Sequence, residues 1–378
     1  MNSDHATLFQ RGVDLFELRD WADAIAVLDQ VIQQQPNHDA AWCCKALCQG
    51  HLRQLDASLT SFDQALTINP SNLRALENKG ILLVQMERPK EAIAPLELLL
   101  QLQPMDYKAW STKGDALVQL KRFQDAIHAY DCALEFNPND FKAYSNRGNA
   151  FVELGRFHSA ISSFDKALAI HPHEPQIWFN RACALDVSGK RDEALASYER
   201  AIAASPVHVS SWINRGNLLA KQGKETEAIA SYDEAIQLDP QSTQAWNNRG
   251  LALRRSGRAK EAIASYDQAI ATNPTNYEAW DNRGYALAKM GKIRDAIASI
   301  DQALKVHPNH ANGIYNKGYC YAMQGKTTLA VDHISQAIQI NPQKYLPAAA
   351  TDPDLEMLHS NKRFQALIKN YRQKSAGS

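Results

Sequence analysis

The chain has 378 residues, with 41 basic and 41 acidic side chains, so its formal net charge at neutral pH is zero. Apolar residues make up 45% and charged residues 22%, which is typical of a folded protein and excludes a largely disordered chain. The balanced charge argues against bulk electrostatic capture of nucleic acid or an anionic membrane, and no stretch has the roughly 18 uninterrupted apolar residues of a membrane-inserted helix.

Prolines recur at a fixed interval along most of the chain. Ten of the 15 prolines are spaced 34 residues apart without insertion or deletion: Pro36, Pro70, Pro104, Pro138, Pro172, Pro206, Pro240, Pro274, Pro308 and Pro342. With this proline at position 32, ten units fill residues 5–344: 5–38, 39–72, 73–106, 107–140, 141–174, 175–208, 209–242, 243–276, 277–310 and 311–344. Such a period indicates a repeat architecture rather than separate globular domains.

Each unit has the apolar pattern of two short helices. In the eighth unit, Trp246, Gly250 and Leu253 share one helix face, and the pattern breaks at Gly257 before a second helical pattern runs to Pro274. Glycine suits a turn because it tolerates positive φ. The residue before a proline is pushed out of the α region, so the second pattern ends there. The unit therefore predicts two helices of about 13 residues joined by a tight turn.

The same positions carry small or large residues in nearly every unit. Positions 8 and 20 are mostly Gly and Ala, and positions 4 and 24 are mostly large, with Trp at position 4 in six units. This pattern resembles the tetratricopeptide repeat over residues 5–344. The resemblance implies an all-α fold, a right-handed α-solenoid superhelix of antiparallel helix hairpins, with first helices lining a concave groove. One hairpin cannot bury both of its apolar faces, so the hairpins must stack.

Charged residues also follow the period. Position 7 is basic in all ten units and position 25 is acidic in nine, with Ser335 as the exception. We infer a ladder of ion pairs that fixes register and stiffness rather than binding a ligand, with the carboxylate of Asp233 near Arg249 or Arg215. Ser335 has no basic position-7 residue after it, which suggests that the pairs join successive units. The alternative is a set of independent solvated charges, each contributing about 0–1 kcal/mol.

Position 6 of the first helix, which faces the groove in this family, is asparagine in seven units. One amide per repeat can hold both the N–H and the C=O of an extended peptide. The arrangement is similar to the asparagine ladder in the peptide groove of O-linked GlcNAc transferase repeats. The alternative is that these amides only cap or solvate the groove surface. The predicted peptide-binding asparagines are Asn78, Asn146, Asn180, Asn214, Asn248, Asn282 and Asn316.

The other groove positions differ between the two halves of the chain. The first half has an apolar floor of Phe9, Val13, Phe16, Leu47, Ile81, Val84, Val118 and Val152. The second half has basic and aromatic residues instead, which we add to the predicted binding site: Lys221, Arg254, Arg255, Lys289, Tyr285, Tyr315 and Tyr319. We expect the first half to take apolar side chains and the second half an acidic or phosphorylated extended segment. A merely solvated charged surface is the alternative.

Three of the six cysteines crowd one first helix. Cys44, Cys48 and His51 lie at i, i+4 and i+7, with Cys43 adjacent, a spacing that could hold a soft metal or form a redox site. Because there is no CxxC pair and no evident fourth ligand, we interpret them as a core residue and groove thiols. The sequence therefore predicts no metal site and no cofactor. Six cysteines are not a disulfide framework, and this usage fits a reducing, cytoplasmic setting.

The residues after the repeats have the pattern of a lid. In residues 345–372 we predict capping helices, one begun by Asp352 with Pro353 at its first position and one begun by Asn361. Phe364 supplies an apolar side chain to the second helix. Residues 373–378 are expected to be disordered.

The function that these patterns predict is a scaffold and not an enzyme, because the residues outside the repeats are too few for a catalytic domain. We expect a non-catalytic adaptor that binds an extended, acidic segment of a protein partner and assists assembly of a multiprotein complex. The alternative is a targeting or regulatory subunit of a glycosyltransferase-like enzyme carried on a separate chain. RNA binding, by analogy with pentatricopeptide arrays, is opposed by the 34-residue period, the position-4 Trp and the neutral charge.

Overall fold

The computed structural model describes the backbone of residues 2–375 and the side chains of residues 7–369. Within that range the chain forms 22 α-helices and one 3-10 helix, and no strand. By their contacts they fall into two compact units, Met1–Ser197 and Tyr198–Ser378, called the N-terminal and C-terminal units below. None of the described helices has the length and apolar character needed to cross a bilayer.

The helices α1 to α20 form ten successive antiparallel pairs, which confirms the predicted all-α solenoid of helix hairpins. From α3 to α20 the first helix of each pair has 13 residues and the second has 14. The pairs are α1 (Asn2–Glu17) with α2 (Trp21–Gln34), α3 (Asp39–His51) with α4 (Leu55–Ile68), α5 (Leu73–Gln85) with α6 (Pro89–Leu102), α7 (Tyr107–Gln119) with α8 (Phe123–Phe136), α9 (Phe141–Glu153) with α10 (Phe157–Ile170), α11 (Pro175–Val187) with α12 (Arg191–Ala204), α13 (Val209–Lys221) with α14 (Glu225–Leu238), α15 (Thr243–Arg255) with α16 (Ala259–Thr272), α17 (Tyr277–Lys289) with α18 (Ile293–Val306), and α19 (Ala311–Met323) with α20 (Thr327–Ile340).

Within each unit, the first helices of neighbouring pairs contact one another more closely than the second helices do. Within each unit the hairpins therefore stack with a bend toward the first helices. Positions 2, 5, 6, 9, 12 and 13 of a first helix lie on one side of it, since residues three and four apart are neighbours on a helix. We call the surface that these positions form within one unit its first-helix face.

The turn inside each pair requires a left-handed residue at position 15. In repeats 5 to 10 this residue is glycine, and Gly257 has φ of +80° as the sequence predicts. In repeats 1 to 4 it is not glycine: Arg19, Arg53, Glu87 and Lys121 have φ between +55° and +62°. A side chain is strained in this conformation, so the first four turns cost more than the last six.

Small residues at position 8 let the two helices of a pair approach closely. A Cβ added to Gly250 would lie 2.5 Å from Cε1 of Tyr266, and one added to Gly114 would lie 2.5 Å from Cε1 of Tyr130. Both tyrosines are buried. Position 4 has a separate role, because each of the six tryptophan side chains donates a hydrogen bond from Nε1 to the carbonyl of the proline six residues earlier.

The predicted ion-pair ladder is confirmed and joins successive repeats. Each position-25 carboxylate pairs with the position-7 cation 16 residues later, as Asp233 with Arg249 at 2.6 Å. Arg249 also donates from Nη1 to Ser265 of its own repeat at 2.8 Å, so one guanidinium ties two second helices together. The nine pairs are Lys45–Asp29, Lys79–Asp63, Lys113–Glu97, Arg147–Asp131, Arg181–Asp165, Arg215–Glu199, Arg249–Asp233, Arg283–Asp267 and Lys317–Asp301.

The C-terminal segment covers the last pair with α21 (Pro342–Thr351), η1 (Pro353–Leu358) and α22 (Lys362–Ser375). Asp352 and Asn361 cap η1 and α22 as expected, by accepting from the backbone N–H groups of Asp354 at 3.0 Å and Phe364 at 3.1 Å. The lid starts with α21, inside the predicted tenth unit, and α22 continues past residue 372, where the sequence predicts disorder. Residues 376–378 of the predicted disordered end lie outside the described range.

Candidate functional site

The predicted ladder asparagines lie on the first helices, and their amides mostly join neighbouring repeats. Asn146 donates to Asp115 at 2.9 Å, and Asn180 to Asn149 at 2.9 Å. In the C-terminal unit, the side-chain amides of Asn248, Asn282 and Asn316 each donate to a side chain of the preceding repeat, at 2.8–3.1 Å. These bonds use one of the two N–H groups of each amide, so part of its hydrogen-bonding capacity remains.

Two ladder residues are bonded differently. Asn78 donates to the carbonyl of Arg74 in its own helix at 2.7 Å, because position 9 of the preceding repeat is the apolar Leu47. Asn214 accepts from Asn217 within its own helix at 3.5 Å. Six of the seven asparagines are partly exposed, and Asn316 is buried.

The residue that holds Asn316 was not among the predicted site residues. The carboxylate of Asp281 is buried, with 2% of its surface exposed, and it accepts from Asn316 at 2.8 Å, Asn312 at 2.6 Å and His310 at 3.1 Å. The sequence signal was an acidic residue at position 5, with polar residues just before the following first helix and in its first two turns. This network is fully bonded, so its role is to hold α17 and α19 together.

Basic and aromatic residues meet on the first-helix face of the C-terminal unit. The guanidinium carbon of Arg254 lies 5.1 Å from the ring centroid of Tyr285, and the ammonium of Lys289 lies 5.7 Å from the same centroid. Lys289 also lies 5.1 Å from the Tyr319 centroid. Arg255 and Lys221 are exposed at the ends of α15 and α13, and Arg255 lies 3.7 Å from the carboxylate of Glu225.

The C-terminal segment covers part of this cluster. Lys289 pairs with Asp354 of η1, and the Tyr315 hydroxyl is 3.5 Å from the carboxylate of Asp352. Burial lowers the pKa of Lys289, but the bond to Asp354 and the two tyrosines outweigh it and raise that pKa overall. Tyr315 and Tyr319 are both buried. The structure therefore places these two predicted site residues, and Asn316 beside them, beneath the surface.

The first-helix face of the N-terminal unit has an apolar cavity between α3 and α5. It has a volume of about 240 Å³, and Leu47 and Ile81 of the predicted apolar floor line it. The cavity is open because position 12 of this repeat is Gly50, and a Cβ there would meet only Ser58, at 3.5 Å. Asn78 stands at its edge. All eight predicted floor residues are partly exposed.

The cysteine cluster lies inside the N-terminal unit and not on its face. Cys43, Cys44 and Cys48 are buried, and burial raises the pKa of Cys43 to about 12, so its thiol stays protonated at neutral pH. The His51 ring stacks on Trp21 at a centroid distance of 4.6 Å. Among the described residues, no group of three or more His, Cys, Asp or Glu side chains could hold a metal ion.

Comparison with protein families gives a consistent result over most of the chain. A tetratricopeptide repeat model matches residues 9–72, 179–243 and 282–345, which together are more than half of the chain. Further tetratricopeptide repeat models match residues 114–155, 141–174, 231–264 and 250–291. No curated protein is significantly similar in sequence.

Solved structures agree with this fold. A tetratricopeptide repeat protein from Parabacteroides merdae ATCC 43184 is 19% identical, with a TM-score of 0.52 over 70% of this chain and 98% of that one. The C-terminal part of a TPR repeat-containing protein from Cytophaga hutchinsonii is 14% identical, with a TM-score of 0.52 over 61% and 95%. YrrB, a TPR protein described as having an unusual peptide-binding site, is 23% identical, with a TM-score of 0.42 over 50% and 99%. At these identities the likeness to the Parabacteroides merdae and Cytophaga hutchinsonii proteins concerns the fold alone.

Proposed function

We propose that this chain, which belongs to the tetratricopeptide repeat family, is a non-catalytic scaffold that holds an extended segment of a protein partner on its first-helix faces. The observation that carries the proposal is the repeated asparagine at position 6. Six of these amides stay partly exposed, and those of Asn146 and Asn248 each have more donors and acceptors than the bond to the preceding repeat uses. An extended backbone offers one N–H and one C=O per residue, which such amides can bind without regard to sequence.

The two units would hold different parts of the partner. The N-terminal face offers the apolar cavity beside Gly50, which suits an aliphatic or aromatic side chain. The C-terminal face offers the cations Lys221, Arg254 and Arg255, which suit an acidic stretch. A scaffold that fixes an extended segment in this way would serve as an assembly factor for a multiprotein complex.

A pull-down tests the proposal and identifies the partner. Wild type is compared with a variant in which Asn214, Asn248 and Asn282 are changed to Ala. The matched control changes Glu234, Gln268 and Gln302, which are exposed on the second helices α14, α16 and α18, to Ala. We expect wild type and control to capture the same partner and the asparagine variant to lose it. Equal capture by all three would contradict the proposal.

The asparagine variant needs a stability control because Asn248 and Asn282 also join repeats. Each lost bond is expected to cost about 1 kcal/mol of unfolding free energy. Asn78→Ala avoids this, since its amide bonds only to its own helix. It should keep the wild-type melting temperature and still weaken capture. Co-purification of a catalytic polypeptide would instead favour a regulatory subunit of an enzyme.

A further inference from the structure

Two buried polar atoms next to each other in the C-terminal unit have no hydrogen-bond partner in the described part of the chain. They are the hydroxyl of Tyr266 and the Nε of Arg254. The charge of Arg254 and a side-chain contact with it oppose the rise in the pKa of Tyr266 that burial causes. Because a guanidinium can only donate, this contact leaves the Tyr266 O–H and the Arg254 Nε–H without an acceptor. Buried donors without acceptors are rare because they lose their bonds to water without replacement.

The tyrosine at position 24 has a partner in other repeats. Tyr130 donates its hydroxyl to Asp115 at 2.6 Å, and Tyr232 donates to Asn217 at 2.8 Å. Both acceptors stand at position 9 of the same repeat. In repeat 8 that position is Leu251, so Tyr266 lacks an acceptor.

Repeat 8 also departs from the other repeats at position 12. Arg254 is basic there, and the residues at the equivalent position are apolar, small or acidic: Phe16, Gly50, Val84, Val118, Val152, Asp186, Ala220, Ala288 and Ala322. One repeat has therefore lost an internal acceptor and gained a cation on the same face. Both changes call for an acceptor, of negative charge, from outside the chain.

Lys289, the cation next to Arg254, differs from it because it has a carboxylate partner within the chain. Lys289 shares the Tyr285 ring with Arg254, but the chain's own Asp354 neutralises it. Asp354 is followed by Leu355 and Leu358, which are both fully buried, so this contact is anchored by core packing. Arg254 has no carboxylate partner among the described side chains. Of the two cations at the Tyr285 ring, Arg254 is therefore the one without a carboxylate partner among the described side chains.

We propose that Arg254, Tyr266 and Tyr285 form a site for one aspartate or glutamate carboxylate of the segment bound on the C-terminal face. This rests on the proposed function and names the side chain that the face selects. The carboxylate would accept from the Arg254 Nε–H and the Tyr266 O–H and lie against the edge of the Tyr285 ring. Burial raises the pKa of Tyr266 to about 12, so the hydroxyl keeps its proton at neutral pH. A carboxylate fits one free cation, whereas a phosphate dianion would keep a charge uncompensated.

The test uses fluorescein-labelled extended peptides of alanine and serine with one central residue: aspartate, asparagine or phosphoserine. Fluorescence anisotropy measures the binding of each to the full chain. We expect the aspartate peptide to bind about tenfold more tightly than the asparagine peptide. Arg254→Gln and Tyr266→Phe should each remove this preference. The control Arg258→Gln, at an exposed arginine paired with Glu261 at 2.6 Å, should keep it.

Stability measurements show whether the Tyr266 hydroxyl acts in binding or in holding the fold together. Tyr266→Phe removes a hydroxyl that has no partner, so its melting temperature should equal or exceed that of wild type, whereas Tyr232→Phe loses a hydrogen bond and should melt lower. Equal binding of the aspartate and asparagine peptides would overturn the carboxylate site and leave the peptide-binding face intact. Tighter binding of phosphoserine than of aspartate would also overturn it. Binding of no peptide would contradict the proposed function together with the site.

Discussion

The N-terminal and C-terminal units are built from the same hairpin but differ at position 12 of one first helix each. Gly50 leaves a cavity of about 240 Å³ over an apolar floor, and Arg254 places a cation against Tyr285. The positions that pack the hairpins, 7, 8, 20 and 25, are nearly constant in both units. A regular scaffold therefore leaves its face free to vary, and one position can change a surface from apolar to charged without altering the fold.

The largest effect should come from the packing glycines. Gly250→Ala would put a Cβ 2.5 Å from the buried ring of Tyr266, so we expect the free energy of unfolding to fall by about 2 kcal/mol. Gly50→Ala is the matched change, because its Cβ meets nothing closer than 3.5 Å, and alanine favours a helix. Gly50→Ala should leave the free energy of unfolding unchanged or raise it. Urea denaturation followed by circular dichroism measures both, and similar losses would show that position 50 is also a packing position.

Filling the N-terminal cavity should weaken binding on the N-terminal face and leave binding on the C-terminal face unchanged. Gly50→Leu puts a branched side chain where the cavity now lies, so an apolar peptide should bind about tenfold more weakly. Binding of the aspartate peptide to the C-terminal face should not change. Titration calorimetry with both peptides checks this, and a parallel loss for the two would indicate a general structural effect.

At the turn between the two helices of a pair, glycine and lysine can be exchanged in opposite directions in two repeats. Gly257→Lys places a side chain at φ of +80° and should cost about 1 kcal/mol of stability. Lys121→Gly relieves the strain at φ of +58° and should gain a smaller amount, about 0.5 kcal/mol, because glycine also makes the unfolded chain more flexible. Melting temperatures of the two variants should shift in opposite directions. Shifts of the same sign would contradict the account of strain.

The smallest effect should be the dependence of folding stability on pH that Asp115, at position 9, causes. Burial raises the pKa of Asp115, with the bonds from Tyr130 and Asn146 opposing it. A raised pKa in the folded state means that folding favours the protonated acid, so stability is fullest below the ordinary aspartate pKa and falls as pH rises through the folded-state value. Asp115→Asn, which copies Asn217 of the C-terminal unit, should remove this slope. Stability measured from acidic to neutral pH checks it, and an unchanged slope would exclude Asp115 as the cause.

The structural features that could be predicted from the sequence are those that recur with the 34-residue period. The helix pairs, the glycine of the Gly257 turn and the pairing of Asp233 with Arg249 all follow from residues that recur at fixed spacing. Each is a local or nearest-neighbour contact that the repeat makes many times, so a single rule covers all copies.

What the sequence did not predict lies where the period is broken. The tail has no repeat, so its position over Tyr315 and Tyr319 could not be derived from spacing. The ladder amides looked free because their acceptors belong to the preceding first helix, which only the stacked structure brings near. Leu251 at position 9 could be read from the sequence, but its consequence for Tyr266 required knowing that a position-24 side chain reaches position 9.

We expect the partner to lie on the first-helix faces, and site-specific photo-crosslinking can locate it. A photoreactive amino acid is placed at Gln85 or Arg255, exposed on first helices, and at Gln268 or Gln302, exposed on second helices. A partner bound on the first-helix faces should crosslink from the first pair of positions and not from the second. Crosslinks from Gln268 and Gln302, with none from Gln85 and Arg255, would contradict it.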